Sequence, residues 1–329
     1  MKIKNKTLYL VIVILVSIFL FACGKETSGN GSTNPSNTGN DSVKPGEPDD
    51  KDDPVKEPEI DTKPVVLKPE ATKVQSEGNT LTQLDYSNVS KGYVIVNYKG
   101  SNPKVRMLLT GPDGIKYTYV LNGGEEVFPL TGGSGKYQIG VYENLSGNSY
   151  LPVFTYSFSA ELESDFISYL YPNQYVNFNE NSNVVKVGEE VSKGAHSKLE
   201  IVEKVYNYVM KTLTYDTQKA ETVKSGYIPN VDEILDIKTG ICFDYASVMA
   251  AMLRSQEIPT MLQIGYSGKI YHAWISVYTK ETGWINGIIE FDGLNWKRMD
   301  PTFADSSNQS KQIMEYISNS DNYKIMYKH

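Results

Sequence analysis

The amino-acid sequence predicts an α+β protein in which an all-β region is followed by helices and then by an antiparallel sheet. Three observations support this fold class. Apolar residues alternate with a period of two between about residues 65 and 162, helical spacing replaces that period after Leu162, and strand-like runs return after Pro259. The chain has 329 residues, 40% of them hydrophobic, which is enough for about two packed domains.

The first 23 residues have the composition of a secretory signal peptide. Three lysines precede an uncharged apolar stretch from Leu8 to Ala22, which is short for a membrane span. The sequence Leu-Phe-Ala-Cys-Gly that ends at Gly24 resembles a bacterial lipobox, in which the cysteine is lipidated and becomes the first mature residue. We therefore expect Cys23 to anchor the protein to the bacterial cell membrane with its body extracytoplasmic; an uncleaved signal anchor is the alternative.

Residues 24–64 are predicted to form a disordered linker. They consist mostly of Gly, Ser, Asn, Thr, Pro, Asp, Lys and Glu, a composition that buries too little apolar surface to offset chain entropy. Roughly forty such residues have a root-mean-square reach of about 35 Å. The folded part of the protein could therefore stand off from the membrane.

Residues 65–162 are predicted to form an all-β sandwich. Glycine-rich turn sequences separate short alternating strands, at the spacing typical of such folds. The predicted strands are Tyr93–Tyr98, Val105–Leu109, Tyr117–Leu121 and Tyr137–Tyr142. The start of the last strand, Gly135-Lys136-Tyr137, resembles immunoglobulin-like modules of surface proteins, so the expected sandwich is immunoglobulin-like.

Residues 163–329 are predicted to form the second domain. Ser197 and Glu200 are spaced as a capping box, and a helical apolar stripe follows them. A long loop then precedes a short helix around Ile234, and we expect Gly240 to be the residue that ends this helix.

Cys242 is the candidate nucleophile. It follows Gly240 and Ile241 and precedes apolar residues at helical spacing, so it should lie in the first turn of a helix. Unpaired backbone N–H groups and the positive end of the helix dipole favour a thiolate there, and a thiolate can attack a carbonyl. A buried, structural cysteine is the alternative interpretation.

A thiol nucleophile needs a base, and the base needs an acceptor that orients it. Of the three histidines, only His272 lies inside a predicted strand after the cysteine, in a run that is rich in aromatic residues. Asp300 ends a later predicted strand, and a neighbouring strand could place its carboxylate against His272. A core histidine and an ordinary strand-ending Asp-Pro turn are the alternatives.

Together these residues resemble the bacterial transglutaminase-like superfamily. The matching motifs are Gly240-Ile241-Cys242 before a helix, His272-Ala273-Trp274 on a strand and Asp300-Pro301-Thr302 after another strand. The resemblance extends from about Leu199 to Asp305. It implies a papain-like fold, in which the cysteine helix packs on the sheet that carries the histidine and the aspartate, and a catalytic triad of Cys242, His272 and Asp300.

The resemblance also implies the class of activity. It indicates a cysteine-dependent hydrolase, such as a peptidase or amidase, or a protein-glutamine acyltransferase, and it implies no cofactor. The expected partner is a protein or peptide substrate at the cell surface or in the cell wall. A surface binding or scaffold lipoprotein with a vestigial transglutaminase-like domain is the second function that the sequence leaves open.

Four further residues are candidates for the pocket around the cysteine. Tyr215 is the candidate second donor of an oxyanion hole, beside the backbone N–H of Cys242; a tyrosine that packs against the cysteine helix is the alternative. Asp244 and Tyr245 flank the nucleophile, and Trp274 belongs to the histidine motif. Asp244 could instead be a helix-start carboxylate that the dipole stabilises.

The composition argues against two classes of function. A net charge of -7 and a pI near 5.2 are unlike the basic face that binds nucleic acid. Two cysteines and three histidines, without an HExxH or CxxC motif, predict neither a disulfide framework nor a metal site.

Overall fold

A computed structural model describes residues 58–286, 288–291, 296–299 and 322–329. These residues belong to one compact unit. The predicted signal peptide, Cys23 and most of the predicted linker lie outside the described residues. Within the described ranges, no helix is both long enough and apolar enough to cross a membrane. The domain boundaries expected from the sequence stay predictions.

The first part of the fold consists of two antiparallel sheets. Its strands are β1 Ser76–Gly78, β2 Thr82–Asp85, β3 Tyr93–Tyr98, β4 Val105–Thr110, β5 Lys116–Leu121, β6 Gly124–Pro129, β7 Gly135–Ser146 and β8 Ser149–Ala160. One sheet has the order β1-β2-β3-β6 and the other the order β5-β4-β7-β8. The strands expected from the period-two pattern are therefore present as β3, β4, β5 and β7.

One apolar core joins these two sheets. Successive side chains of a strand face opposite sides, so alternate residues of β5 are buried, namely Tyr117, Tyr119 and Leu121. Val96 of the first sheet and Ile139 of the second belong to the same core. Two packed sheets agree with the expected sandwich, whereas its immunoglobulin-like character stays a prediction.

Helices dominate the next part of the chain. They are α1 Asn183–Ser192, α2 Lys198–Thr212, α3 Thr217–Thr222, α4 Val231–Ile237 and α5 Cys242–Arg254. The start of α2 confirms the expected cap, because the Ser197 hydroxyl accepts a hydrogen bond from the Glu200 N–H at 3.1 Å. The Glu200 carboxylate accepts from the His196 N–H at 2.8 Å, one residue before the cap. Helices α1, α2 and α4 all pack against α5.

The expected end of α4 at Gly240 is wrong. Lys238 is the residue that ends the helix, in the left-handed conformation with a φ of 56°. Gly240 lies instead in β10 (Thr239–Gly240), which pairs in parallel with β9 (Thr214–Tyr215). Packing requires a glycine there, because a Cβ atom on residue 240 would come within 2.6 Å of the Asp244 Cβ.

The strands that follow α5 form the sheet on which it packs. The sheet consists of β11 Thr260–Ser267, β12 Ile270–Thr279, β13 Gly283–Asn286 and β16 Tyr323–Lys328. Two further strands, β14 Ile288–Phe291 and β15 Trp296–Met299, form a separate pair. The main sheet has the order β13-β12-β11-β16. Leu262 of β11 and Ile275 of β12 share one core with Val248 of α5. The predicted α+β class, with helices before an antiparallel sheet, is confirmed.

Arg254 connects three segments of this part. Its buried guanidinium donates hydrogen bonds to the carbonyl oxygens of Tyr171, Thr260 and His329, at donor–acceptor distances of 2.7 to 3.0 Å. Burial lowers the pKa of Arg254 to about 9. One side chain therefore holds the segment at Tyr171, the start of β11 and the residue after β16 to the end of α5.

His329 contacts the β-sandwich. Its buried ring packs edge-to-face on Tyr119 of β5 and on Tyr175, at centroid distances of 5.6 and 4.7 Å. The Thr131 hydroxyl donates to the carbonyl oxygen of Lys328 at 3.0 Å. The all-β part and the α+β part therefore meet along the end of β16.

Candidate active site

Cys242 is the first residue of α5, as the sequence predicts. Ile241 before it is extended, with φ −98° and ψ 176°, so the chain passes from β10 into the helix within one residue. The thiol is free and partly exposed. Because the first N–H groups of a helix have no acceptor within the helix, the thiol lies beside unpaired donors and the positive end of the dipole.

A buried carboxylate lies two residues after Cys242. Asp244 is fully buried and accepts hydrogen bonds from Lys219 Nζ at 2.6 Å, from the Tyr227 hydroxyl at 2.7 Å and from the Ile241 N–H at 2.9 Å. Asp244 therefore closes the first turn of α5 and attaches α3 and the loop after it to that turn. Burial, and then the hydrogen bond to Asp244, raise the pKa of Tyr227 well above its ordinary value, so Tyr227 stays a donor.

Tyr215 lies beside the turn that carries the nucleophile. Its strand β9 pairs with β10, which places Tyr215 opposite Gly240, and its ring centroid is 6.5 Å from that of Tyr245. Tyr245 is fully buried in the core around α5. Because Tyr245 and Asp244 are buried, they can shape a pocket only through the residues that they contact. The role of Tyr215 as an oxyanion donor stays a prediction.

His272 and Trp274 lie on one side of β12. Ala273 and Ile275 belong to the core shared with α5, and since side chains alternate along a strand, His272 and Trp274 face the other side. Both are buried, and their rings are stacked with centroids 6.0 Å apart. The structure thus brings α5 and β12 together, while the alternation directs the imidazole away from the apolar surface under α5.

Tyr271 lies on the α5 side of β12, before the candidate base. Its side chain is 57% exposed, and its ring makes an edge contact with Tyr266 at 5.5 Å. Partial burial, followed by the neighbouring Tyr327, Tyr266 and Cys242, raises the pKa of Tyr271. Tyr271 therefore lies close enough to the thiol to interact with it electrostatically, and Tyr266 and Tyr327 adjoin Tyr271.

Two predicted functional residues, Asp300 and Cys23, lie outside the described residues. The strand before Asp300 is β15, which ends at Met299 and pairs with β14 so that Met299 is opposite Ile288. The triad of Cys242, His272 and Asp300 stays a prediction.

Sequence reasoning missed Lys219, Tyr227 and Tyr271. Lys219 lies in α3, within a stretch interpreted as a long loop because it lacks apolar periodicity. A local signal was present, since Asp216 caps α3 by accepting a hydrogen bond from the Lys219 N–H at 2.8 Å. Over the ranges that the structure describes, no group of three or more His, Cys, Asp and Glu residues is arranged to bind a metal.

The part of the chain that contains Cys242 and His272 matches a known protein family. Residues 185–287 match the family model of the transglutaminase-like superfamily. The chain contains a transglutaminase-like domain. This domain includes Cys242 and His272, and it begins in α1. No curated protein matches the chain by sequence.

Three solved structures show low similarity to the chain. A candidate cysteine protease from Cytophaga hutchinsonii is 12% identical with a TM-score of 0.37, and the match covers 78% of this chain and 74% of that chain. LapG from Legionella pneumophila is 16% identical with a TM-score of 0.29, covering 45% and 70% respectively. Red sea bream transglutaminase is 13% identical with a TM-score of 0.26, covering 69% and 53%.

Proposed function

We propose that this protein is an extracytoplasmic, lipid-anchored cysteine enzyme that cleaves amide bonds of proteins or cell-wall peptides, or transfers their acyl groups. The observation that carries the proposal is the partly exposed Cys242 at the first turn of α5, inside the transglutaminase-like domain. A thiol at this position is accessible to a substrate, lies beside backbone N–H donors and benefits from the positive helix end.

In the proposed reaction, the Cys242 thiolate attacks the carbonyl carbon of an amide. The backbone N–H of Cys242 and the Tyr215 hydroxyl donate to the oxyanion that forms. The carbon–nitrogen bond then breaks, and the imidazolium of His272 gives its proton to the departing amine. Water hydrolyses the resulting thioester, or a second amine takes the acyl group, and Asp300 orients the His272 ring.

A surface binding or scaffold lipoprotein with a vestigial domain is the second candidate. The observation that favours it is the alternation along β12, which directs His272 to the side opposite Ala273 and Ile275. A domain of this kind would keep the core around α5 without a catalytic role for its thiol.

One assay separates the two candidates. The soluble part of the chain is incubated with casein and a fluorescent primary amine, and the products are resolved by size. Incorporation of the amine indicates acyl transfer and casein fragments indicate hydrolysis; Cys242→Ala should abolish either. A parent protein that does neither, and whose thiol alkylates only near the pKa of about 8.5 of an ordinary cysteine, would refute the enzyme.

Lipid attachment requires a separate test. Labelled palmitate should enter the protein, and Cys23→Ala should prevent it. If the Cys23→Ala protein remains equally bound to membranes and has the mass of the parent protein, the lipid anchor is wrong.

A further inference from the structure

We infer that Lys219 is a positioning residue of the nucleophile: it neutralises the buried Asp244 carboxylate and thereby favours the thiolate form of Cys242. The inference rests on the proposed function, because it takes Cys242 to be the nucleophile. It adds a role for α3, a segment that carries none of the family motifs noted in the sequence.

The ion pair is enclosed by protein. Lys219 Nζ lies 2.6 Å from Asp244 Oδ2, and the two side chains are 24% and 0% exposed. The same ammonium donates to the Tyr227 hydroxyl at 2.8 Å and lies 4.4 Å from the centroid of the Tyr227 ring. A carboxylate, a hydroxyl and an aromatic face therefore hold the cation in one place.

Gly240 allows the carboxylate to take its position. A Cβ atom on residue 240 would lie 2.6 Å from the Asp244 Cβ and 3.0 Å from Oδ2. With a glycine there, the Asp244 side chain folds back and accepts from the Ile241 N–H, on the turn of Cys242 itself. The sequence Gly-Ile-Cys-Phe-Asp therefore forms this turn only because residue 240 has no side chain that would collide with Asp244.

The charge of Asp244 has a consequence for the thiol. A lone carboxylate in the first turn of α5 would disfavour a second negative charge two residues away, by about one pH unit in the effective dielectric of a protein. The Lys219 ammonium offsets this repulsion, because it pairs with the carboxylate directly. The positive helix end then acts on the thiol without a competing anion.

Other titratable groups surround this turn on each element that packs there. They are Tyr227 in the loop after α3, Glu233 of α4, which interacts with Tyr227, Tyr215 of β9, Asp216 between β9 and α3, Tyr245 of α5, Tyr271 of β12, and beyond them Tyr266 of β11 and Tyr327 of β16. His272 lies on the other side of β12. The pKa values of Tyr227 and Tyr271 are raised, so both stay neutral over the range in which a thiol titrates. Within the part of the chain that the structure describes, Lys219 is the cation paired with Asp244.

The test is the pH dependence of Cys242 alkylation by iodoacetamide. Lys219→Met should raise the pH midpoint by about one unit, because the carboxylate is then unpaired. Asp244→Asn should lower it by about as much, because the ammonium remains. The double variant carries neither charge and should return to the parent midpoint, and Lys219→Arg should stay there because it keeps the cation.

A surface ion pair provides the control. Lys193, the residue after α1, pairs with Glu190 at 2.5 Å on the exposed surface, so Lys193→Met should leave the midpoint unchanged. Opposite shifts in the two single variants support the inference, since loosening of the turn would move both in one direction. Unchanged midpoints, or shifts of the same sign, would overturn it. If circular dichroism shows that Lys219→Met is unfolded, the other two variants decide. The midpoint of Asp244→Asn should still be lower than that of the parent, and the midpoint of the double variant should equal it.

Turnover of casein by the same proteins separates this inference from the proposed function. A parent protein without turnover whose variants show opposite shifts would refute the enzyme and support the charge pair. A parent protein with turnover whose variants all share one midpoint would support the enzyme and overturn the role of Lys219.

Discussion

The Nδ1 atom of His329 lies 3.1 Å from the Tyr119 hydroxyl, where the α+β part meets the β-sandwich. Burial, with a smaller contribution from Arg254, lowers the pKa of His329 to about 3. The imidazole is therefore neutral in the folded protein at physiological pH. The contact between the two parts depends on a group that an unfolded chain would protonate in mild acid.

Acid should therefore destabilise the protein through His329. Its unfolded pKa is about 6.5, so between about pH 6.5 and pH 3 the unfolded state binds a proton that the folded state does not, and the free energy of unfolding falls as the pH falls. The contribution is fully present above pH 6.5 and amounts to several kcal/mol. Urea unfolding at a series of pH values measures it.

The matched variant is His329→Phe, which keeps an aromatic ring. It should be less stable than the parent at pH 7.5 by about 1–2 kcal/mol, because the Tyr119 hydroxyl loses its partner. Its free energy of unfolding should depend less on pH below 6.5 than that of the parent. The same pH slope in both proteins would contradict the role given to His329.

Removal of His272 tests whether its imidazole acts on Cys242. If the two form a pair, His272→Ala should raise the pH midpoint of alkylation toward about 8.5, the value of an unpaired thiol, and should reduce turnover almost as much as Cys242→Ala. Asp300→Ala should be milder, costing roughly a few kcal/mol in the activation barrier. Asp305→Ala is the control and should leave the profile unmoved. A parent-like profile in His272→Ala would mean that no such pair exists.

Gly240→Ala should destabilise the fold by about 1–3 kcal/mol, because the new methyl group meets Asp244 at 2.6 Å and forces the turn of Cys242 to shift. Gly188→Ala is the control. A Cβ atom there meets Met252 at 3.4 Å, which is an ordinary contact. Because residue 188 lies in the helix α1, where alanine is favoured over glycine, this variant should be neutral or stabilising by up to about 1 kcal/mol. Equal thermal midpoints for the two variants would disprove the steric role of Gly240.

Arg254→Lys should cost about 2–4 kcal/mol of stability, since a single ammonium cannot reach the carbonyl oxygens of Tyr171, Thr260 and His329 together. Arg106→Lys provides the comparison. Arg106 is exposed and lies 4.9 Å from the ring centroid of Tyr150, so its replacement should cost less than about 1 kcal/mol. Guanidinium chloride unfolding of both variants would reveal the difference, and a similar loss in both would refute the anchoring role of Arg254.

Local patterns predicted the elements that bury a regular face. The period-two strands β4 and β5, the capped helix α2 and the start of α5 at Cys242 are examples. Helix α1 was missed because Gly188 and Ser192, which are not apolar signals, occupy part of its buried face, and β16 was missed because its pairing with β11 is set by residues far away in the sequence. The pair of Lys219 and Asp244 has no local signature either, since it forms across 25 residues of chain.

The position of β16 in the sheet has a consequence during synthesis of the chain. Residues 323–328 pair with residues 263–267 of β11, so a ribosome must release the intervening segment before the sheet under α5 can close. Until then β11 presents a row of unpaired N–H and C=O groups, which can recruit strands from other molecules. A nascent or truncated chain that stops before residue 323 should therefore aggregate, and a free peptide with the β16 sequence, added in trans, should suppress that aggregation.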